Sequence, residues 1–443
     1  MSKNIKILFL LAFISKLIIS LFIPLTLDEY YYLVWGQTPQ LSYFDHPPMT
    51  GWLMIFGNYF KSISPEAIRW PFILLSHGTL YVWYLILKPY LSPKYLFYFI
   101  LVALFNPLWG LGVFVATPDI PLLFFWSCSI YFTYKLYQKP SSINYIALGA
   151  ALGLGFLSKY QIVLFVPCLI LFILNTKSFK HLLNIKVVLS ILAGLLFSLP
   201  VLLWNYQHDW ASFDFQWNHG MKATEWKWFW PLEYVLGQFL IIFPIFAILA
   251  FKNSPAKHPL SSLHNFIIFP LLFFLYSSFK NHVEANWAIM AYPSLYALAF
   301  INSNEKSLSW IKKSLIFWVT LLSAILIFIT FPNQKIKSSR LFESNKFKNV
   351  LTFSKNHTPV LAFSYQLTSY LRFNVDENIC KFPKYGRTDF YNFLKTCETI
   401  PQHFYFLLPT GTVYPLEKDF PELEIIKTIK IDDAFFALEV KRK

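Results

Sequence analysis

The stretch from Leu25 to Met54, LTLDEYYYLVWGQTPQLSYFDHPPMTGWLM, sets Asp28, Glu29, Asp45 and His46 among tyrosines and tryptophans. A carboxylate in such a place can accept the proton of an attacking hydroxyl, and an imidazole can hold an anion as charge develops. Similar mixtures recur in ATPD (Ala116 to Asp119), LSKY (Leu157 to Tyr160), FKNHVEANW (Phe279 to Trp287) and the long segment from Trp204 to Trp228. Each feature alone has a plainer reading. An acidic pair stabilises a helix N-terminus, aromatics form an interfacial belt, and a single histidine sits at a surface. Their recurrence in loop after loop points towards chemistry.

The elements that hold these loops are apolar. Of 443 residues 56% are hydrophobic, 20% aromatic and 14% charged, a balance that marks an integral membrane protein. The net charge of +15 is spread in twos and threes between apolar runs, so it reads as a topology signal and argues against a nucleic-acid partner. The N-terminal run MSKNIKILFLLAFISKLIISLFIPL has a basic start but no small-residue cleavage pattern, and is expected to be retained as a first span.

Apolar runs lie at about 5–25, 67–87, 95–115, 120–138, 143–157, 161–175, 187–204, 231–251, 262–279, 286–301 and 314–331, giving about eleven expected spans. With the N-terminus inside, alternate connections carry Lys88 and Lys94, Lys135 and Lys139, Lys177, Lys180 and Lys186, Lys252 and Lys257, and Lys306, Lys312 and Lys313. Every loop with mixed acid, base and aromatic residues then falls on the outer side. Charges keep to the span ends, apart from Lys16.

In the first outer loop, helical phasing puts Asp28, Tyr31, Tyr32 and Trp35 on one face, with Glu29 about a quarter turn away. The prolines of YFDHPP hold Asp45 and His46 in an extended segment, and MTGWLMIFGNYF supplies a second surface helix within 26–66. From about 335 to 443 the composition changes to charges, prolines and strand-like PVLAFSY, HFYFLLP and FFALEV, predicting a small soluble α/β domain. Outside the membrane a Cys380–Cys397 disulfide is plausible there, whereas Cys128 and Cys168 lie in apolar runs as small hydrophobes.

The motifs LDEYYYLVWGQTPQLSYFDHPPMTGWL, NPLWGLGVFVATPDIPLLFFW, GLGFLSKYQ and EANWAIMAYPS resemble, in this order over about the first 300 residues, bacterial members of the GT-C glycosyltransferase superfamily. The most similar branch holds protein O-mannosyltransferases and the lipid A aminoarabinose transferase. D-E-x-Y-Y combined with Y-F-D-H-P-P is the specific part, and the tail carries no matching motif. The resemblance implies an α-helical polytopic membrane protein of GT-C type over 1–331, with a small C-terminal α/β extracytoplasmic domain over 335–443. It implies a polyprenyl-phosphate sugar donor used at the outer face of the bacterial inner membrane. Asp28 matches the family's catalytic carboxylate and Asp119 its second aspartate, while His46 and Lys159 match its phosphate-holding residues. The aminoarabinose transferase has Lys where this chain has His46.

Transfer from a sugar phosphodiester to a hydroxyl needs a carboxylate base, and its phosphate leaving group needs cations rather than an acid. Asp28 is therefore the expected base, Asp119 orients it or the sugar, and Lys159, Arg69 and His46 hold phosphate. Arg69 also reads as a snorkelling anchor at a span mouth. Glu29, Tyr32, Asp45 and Tyr160 complete the expected substrate-binding set. Lys280 and Glu284 contact sugar hydroxyls or phosphate, or pair locally at i, i+4. In the long loop, Trp210, Phe213, Phe215 and Trp217 with His208, Asp214 and His219 suit a sugar, or else form a folded-back lid with an aromatic core. No metal or other cofactor is expected, and the acceptor is a lipid, a glycan or a protein. A multi-pass transporter or flippase of lipid-linked sugars is the alternative, and a non-catalytic scaffold the third. An acceptor that is already an ionised phosphate would leave Asp28 to position it.

Overall fold

The computed structural model describes residues 1–221, 226–252, 260–330, 340–412, 414 and 416–443. Its N-terminal part is helical: α1 (Lys3–Ser20), α2 (Leu27–Gln37), α3 (Met49–Phe60), α4 (Trp70–Leu87), α5 (Pro93–Phe105), α6 (Asp119–Gln138), α7 (Ser142–Ser158), α8 (Phe165–Thr176), α9 (Phe179–Leu182), α10 (Val187–Gln207), α11 (Ala211–Met221), α12 (Phe229–Ile242), α13 (Pro244–Phe251), α14 (Asn265–Ser278), α15 (Tyr292–Ile301) and α16 (Glu305–Thr330). Every apolar run of the sequence has a helical counterpart. By length and composition, however, three described stretches suffice to cross a membrane, Pro65–Leu87, Val187–Gln207 and Ser261–Ser278, or four with the bent pair α12–α13. Other runs fold as shorter apolar helices, such as Pro93–Phe105 and Ser142–Ser158.

Two runs depart from the single straight span expected of them. The run at 95–115 stops being helical at Phe105, because Pro107 forces Asn106 out of the helical region, to ψ 133°. The Asn106 side-chain oxygen then accepts the N–H groups of Leu108 at 3.0 Å and Trp109 at 2.8 Å, closing a turn that returns the chain towards Asp119. The run at 231–251 breaks at Phe243, whose φ is +64°, and Pro244 opens the next helix at 85° to the last. Within the bundle, α7 and α10 approach so closely that a Cβ on Gly149 would lie 2.1 Å from the Ser190 carbonyl oxygen. Small residues permit such contact between apolar helices.

Loops that the Lys/Arg bias assigns to one side meet one another at one end of the bundle. The α5–α6 loop touches the start of α2, through Ala116 N–H donating to Glu29. The ends of α6 and α7 meet through Asp119 and Lys159, and α10–α11 reaches the first loop through Trp204 Nε1, which donates to Gln40 at 3.2 Å. Lys94 and Glu305, from loops of the opposite set, pair with each other at 2.7 Å. Lys16, the charge inside a span, is buried in α1.

The C-terminal part is a five-stranded sheet of order β2-β1-β3-β5-β4, with β1 (Val360–Ala362), β2 (Cys380–Lys381), β3 (His403–Pro409), β4 (Leu423–Lys430) and β5 (Phe435–Arg442). β1 runs parallel to β2 and β3, while β5 is antiparallel to β3 and β4. The three expected strands are β1, β3 and β5. Along β3, Phe404, Phe406 and Leu408 face one core with Phe382 and Phe390. Leu407 faces the other, with Val350 and Leu371 of α17 (Lys348–Asn356) and α18 (Tyr365–Asn374). Alternation along the strand thus covers both faces. Cys380 and Cys397 form a disulfide with Cα atoms 5.4 Å apart. The expected boundary near 331–335 lies outside the described residues.

α2 does not lie open on a membrane surface. It is wedged between α3 and the C-terminal part, where Tyr30 meets the rings of Tyr370 and Phe373 at 5.3 and 5.1 Å, and Tyr31 meets Tyr365 at 4.5 Å. Its first turn is fixed by a capping box in which Thr26 and Glu29 exchange side-chain and backbone bonds. Glu29 also forms a double-bonded ion pair with Arg69 at the mouth of α4, both contacts 2.6 Å and both side chains fully buried. The remaining donors of Arg69 reach the carbonyls of Ser20, Ile23 and Pro24, so all five N–H groups are used. This pair ties α1, α2, α4 and the Ala116 loop into one corner. Removing either partner strands a buried charge, at a cost of about 3–5 kcal/mol. Arg69→Met and Glu29→Gln are each expected to lose stability on that scale in denaturant unfolding of detergent-solubilised protein, with an unchanged result showing the corner to be dispensable.

Candidate active site

Asp119 opens α6, and Lys159 follows the last residue of α7 in an extended conformation with φ −161°. Lys159 Nζ lies 2.7 Å from Asp119 Oδ1, and Asn286 Nδ2 donates to Asp119 Oδ2, also at 2.7 Å. The three come from different loops and form a nearly closed unit, with Asp119 7% and Lys159 12% exposed. Both carboxylate oxygens have a fixed partner, which suits Asp119 to orienting neighbours rather than to collecting a proton. Asn286, within the EANW motif, was not singled out in the sequence because an amide carries no charge signature.

Asp28 lies in the first turn of α2 and is exposed, whereas Tyr31, Tyr32 and Trp35 beside it are buried. Tyr32 feels the field of three carboxylates. Burial raises its hydroxyl well above the usual phenol value, and Asp28, Asp45 and Asp119 act in the same direction, so all three carboxylates lie within its electrostatic reach. The phenol remains a neutral hydrogen-bond donor among them. His46, partly buried, packs edge-on to Tyr32 at 6.3 Å.

Asp45 is held from three directions. The Tyr31 hydroxyl donates to its Oδ2, Gln216 of α11 donates to its carbonyl, and Arg387 Nη1 stands 2.9 Å from its Oδ1. The Tyr31 oxygen in turn accepts the Phe390 N–H at 2.8 Å. Arg387, Tyr365 and Phe390 all come from the C-terminal part, for which the sequence offered no motif.

Three other candidates, Glu29, Arg69 and Tyr160, serve the scaffold. Glu29 and Arg69 form the saturated corner already described, so Arg69 has no donor left for phosphate, and the expected binding role gives way to a bracing one. Tyr160 hydrogen-bonds Ser212 at 2.8 Å and packs on Phe213 at 5.1 Å, seating α11. Lys280 lies in the turn after α14 with Nζ 4.6 Å from the Tyr276 ring centroid, and Glu284 is exposed just before Ala285; the two do not share a helix. Along the long loop, His208 stacks on Trp204 at 4.1 Å and Phe215 meets Phe44 at 4.7 Å, the pattern of a folded-back lid, while Trp217 stays 65% exposed. The side chain of His219 is outside the described set.

The chain is similar to known proteins in sequence and in fold. The family described as dolichyl-phosphate-mannose-protein mannosyltransferase matches residues 45–204. The lipid A galacturonosyltransferase RgtD of Rhizobium johnstonii is 24% identical over 286 residues, 61% of this chain and 59% of that protein. The matched region therefore spans less than two thirds of that relative's length. ArnT from Cupriavidus metallidurans, solved bound to undecaprenyl phosphate and in the apo state, superposes with TM-scores of 0.69 and 0.67 at 15% and 14% identity. These matches cover 99% and 98% of this chain and 98% of each of those chains, a likeness of fold. Over residues 45–204 the chain is thus similar to the protein mannosyltransferase family, and its fold is like that of ArnT.

Burial pushes the Asp45 carboxyl up from its ordinary 3.8 to about 6, against the pull of Arg387 and Tyr31. The folded carboxyl keeps its proton to higher pH than the unfolded chain does. Its stabilising contribution is therefore complete below about pH 3.8 and lost as pH rises through about 6. Asp45→Asn removes this dependence. The stability of wild type relative to the variant, measured by denaturant titration, is expected to fall by about 3 kcal/mol between about pH 3.5 and 7, and a pH-independent difference would contradict it.

Proposed function

We propose that the protein is a membrane glycosyltransferase that moves a sugar from a polyprenyl-phosphate donor to a lipid acceptor of the lipid A type, at the outer face of a bacterial inner membrane. The observation that carries this reading is the convergence of exposed Asp28 with the Asp119–Lys159–Asn286 unit around Tyr32, on loops from one end of the bundle. The similarity to the lipid A galacturonosyltransferase RgtD favours a transferase with a lipid acceptor over a protein acceptor or a transporter, and the undecaprenyl phosphate bound to ArnT favours a lipid-linked donor. No metal is required by this reading.

Asp28 accepts the proton of an acceptor hydroxyl as the oxygen attacks the anomeric carbon. The bond to the lipid phosphate breaks and its electrons leave on the phosphate oxygen. Where the acceptor is itself a phosphate, Asp28 steadies the positive charge that develops on the sugar. Asp119, held by Asn286, keeps the Lys159 ammonium next to the departing phosphate. His46 and Tyr32 provide further hydrogen-bond donors on the first loop. Lys280 and Glu284, on the turn that leads to Asn286, border the sugar. The 1–331 segment supplies the catalytic helices, and the 335–443 segment closes over them outside the membrane.

With purified protein, an undecaprenyl-phosphate sugar and lipid A, Asp28→Asn is expected to lower kcat by about 10²–10⁴-fold with the fold retained. A variant that keeps full turnover refutes the base assignment. Lys159→Met and Asp119→Asn each break the buried pair. Their individual losses are expected to exceed what the double variant adds, and strict additivity would show that the two do not act as a unit. Mass spectrometry of lipid A from a deletion strain identifies the sugar and the acceptor, and an unaltered lipid A profile refutes that acceptor class.

A further inference from the structure

Arg387 sits in the loop between β2 and the turn at Phe390–Phe393, and the protein holds this loop firmly. The Cys380–Cys397 disulfide anchors its root. Lys381, 2% exposed, donates to the Arg387 carbonyl at 2.6 Å, to Asp389 Oδ2 at 2.7 Å and to Asn392 Oδ1 at 3.3 Å. Gly386, at φ +68°, turns the backbone just before the arginine, in the left-handed region that favours glycine.

The guanidinium lies over two aromatic rings, 4.6 Å from the centroid of Tyr365 and 5.6 Å from that of Phe215, with Asp45 at 2.9 Å. The two arginines of this region differ in kind. Arg69 is fully buried and every donor is consumed within the fold, which marks it as a brace. Arg387 is tethered along one edge and 45% exposed, although its partner Asp45 is only 6% exposed. A planar fork stacked on aromatics but still open to solvent is suited to grasping an oxyanion. Tyr365, over whose ring it lies, is also within electrostatic reach of Asp28, so the arginine and the proposed base both act on one phenol.

We propose that Arg387 is an anion-binding residue of the transfer site, delivered by the C-terminal part, which exchanges its contact with Asp45 for an oxyanion of the substrates. The inference rests on the transferase reading. The oxyanion is a phosphate or carboxylate, carried by the lipid-linked donor or by the acceptor. Asp45 holds the place of that anion when the site is empty, and Gln216 and Tyr31 keep Asp45 where it can do so.

The test uses the full chain in detergent, with undecaprenyl phosphate as the binding probe and lipid A as acceptor. Arg387→Ala is expected to weaken binding of undecaprenyl phosphate about tenfold to a hundredfold, the worth of a charge-assisted bond. Arg387→Lys restores part of this, since an ammonium supplies charge without the fork. Asp45→Asn removes the competing carboxylate and binds at least as tightly as wild type. If binding of undecaprenyl phosphate is unchanged in Arg387→Ala but KM for lipid A rises by the same factor, the anion is the acceptor's and the inference still stands. Equal losses in Arg387→Ala and Asp45→Asn reveal a mere structural clasp and overturn it, as does an Arg387→Ala protein unchanged in both assays. Melting temperatures identify any variant that fails to fold, and Arg387→Lys with Asp45→Asn then decides alone, a looser Asp45→Asn overturning the inference. A folded wild type that binds no undecaprenyl phosphate sinks the transferase reading itself.

Discussion

The buried pair of Glu29 and Arg69 is the constraint on which the rest of this architecture hangs. Two charges have left water, so each must find every hydrogen bond inside the fold. Arg69 does so with Glu29 and three backbone carbonyls at the exit of α1, and Glu29 does so with Arg69, Thr26 and the Ala116 N–H. This geometry satisfies both groups at once. The direction of α2, and hence the position of Asp28, follows from that requirement.

From this corner the loops divide their carboxylates by environment. Asp28 is one residue before Glu29 on the same helix turn, yet it stays exposed while its neighbour is sealed. Asp119 is locked by Lys159 and Asn286, and Asp45 is enclosed by Tyr31 and Arg387. Three carboxylates near one tyrosine thus sit in three different environments. An exposed one can exchange protons, a salt-bridged one can orient, and a screened one can exchange partners.

The C-terminal part is more than an appendage. Its α18 packs on α2, its Phe390 N–H reaches Tyr31, and its Arg387 enters the first loop. A sheet with both faces covered and a disulfide near its edge makes a rigid mount for that loop. Rigid mounting matters because a group that must meet developing charge loses its advantage when it has to reorganise first.

The apolar runs, the sorting of basic loops, the three strands HFYFLLP, PVLAFSY and FFALEV, and the cysteine pair were all legible in the chain, since each depends on local composition or period. Motifs of fixed spacing also marked Asp28, Asp119 and Lys159 as candidates, and the fold brings Asp119 and Lys159 into contact. What the sequence could not show was who faces whom. Glu29 and Asp28 are adjacent and alike in type, and only packing against Arg69 makes one a brace and leaves the other open. Arg69 looked like a phosphate ligand because its charge is visible in sequence, while the carbonyls that consume that charge belong to residues some 46 positions away. Asn286 was silent because an amide carries no charge, and Arg387 because the tail around it matched no motif. The period of an element is written along the chain, whereas the partners of a buried charge are decided in three dimensions, by the need to replace every hydrogen bond that water gave up.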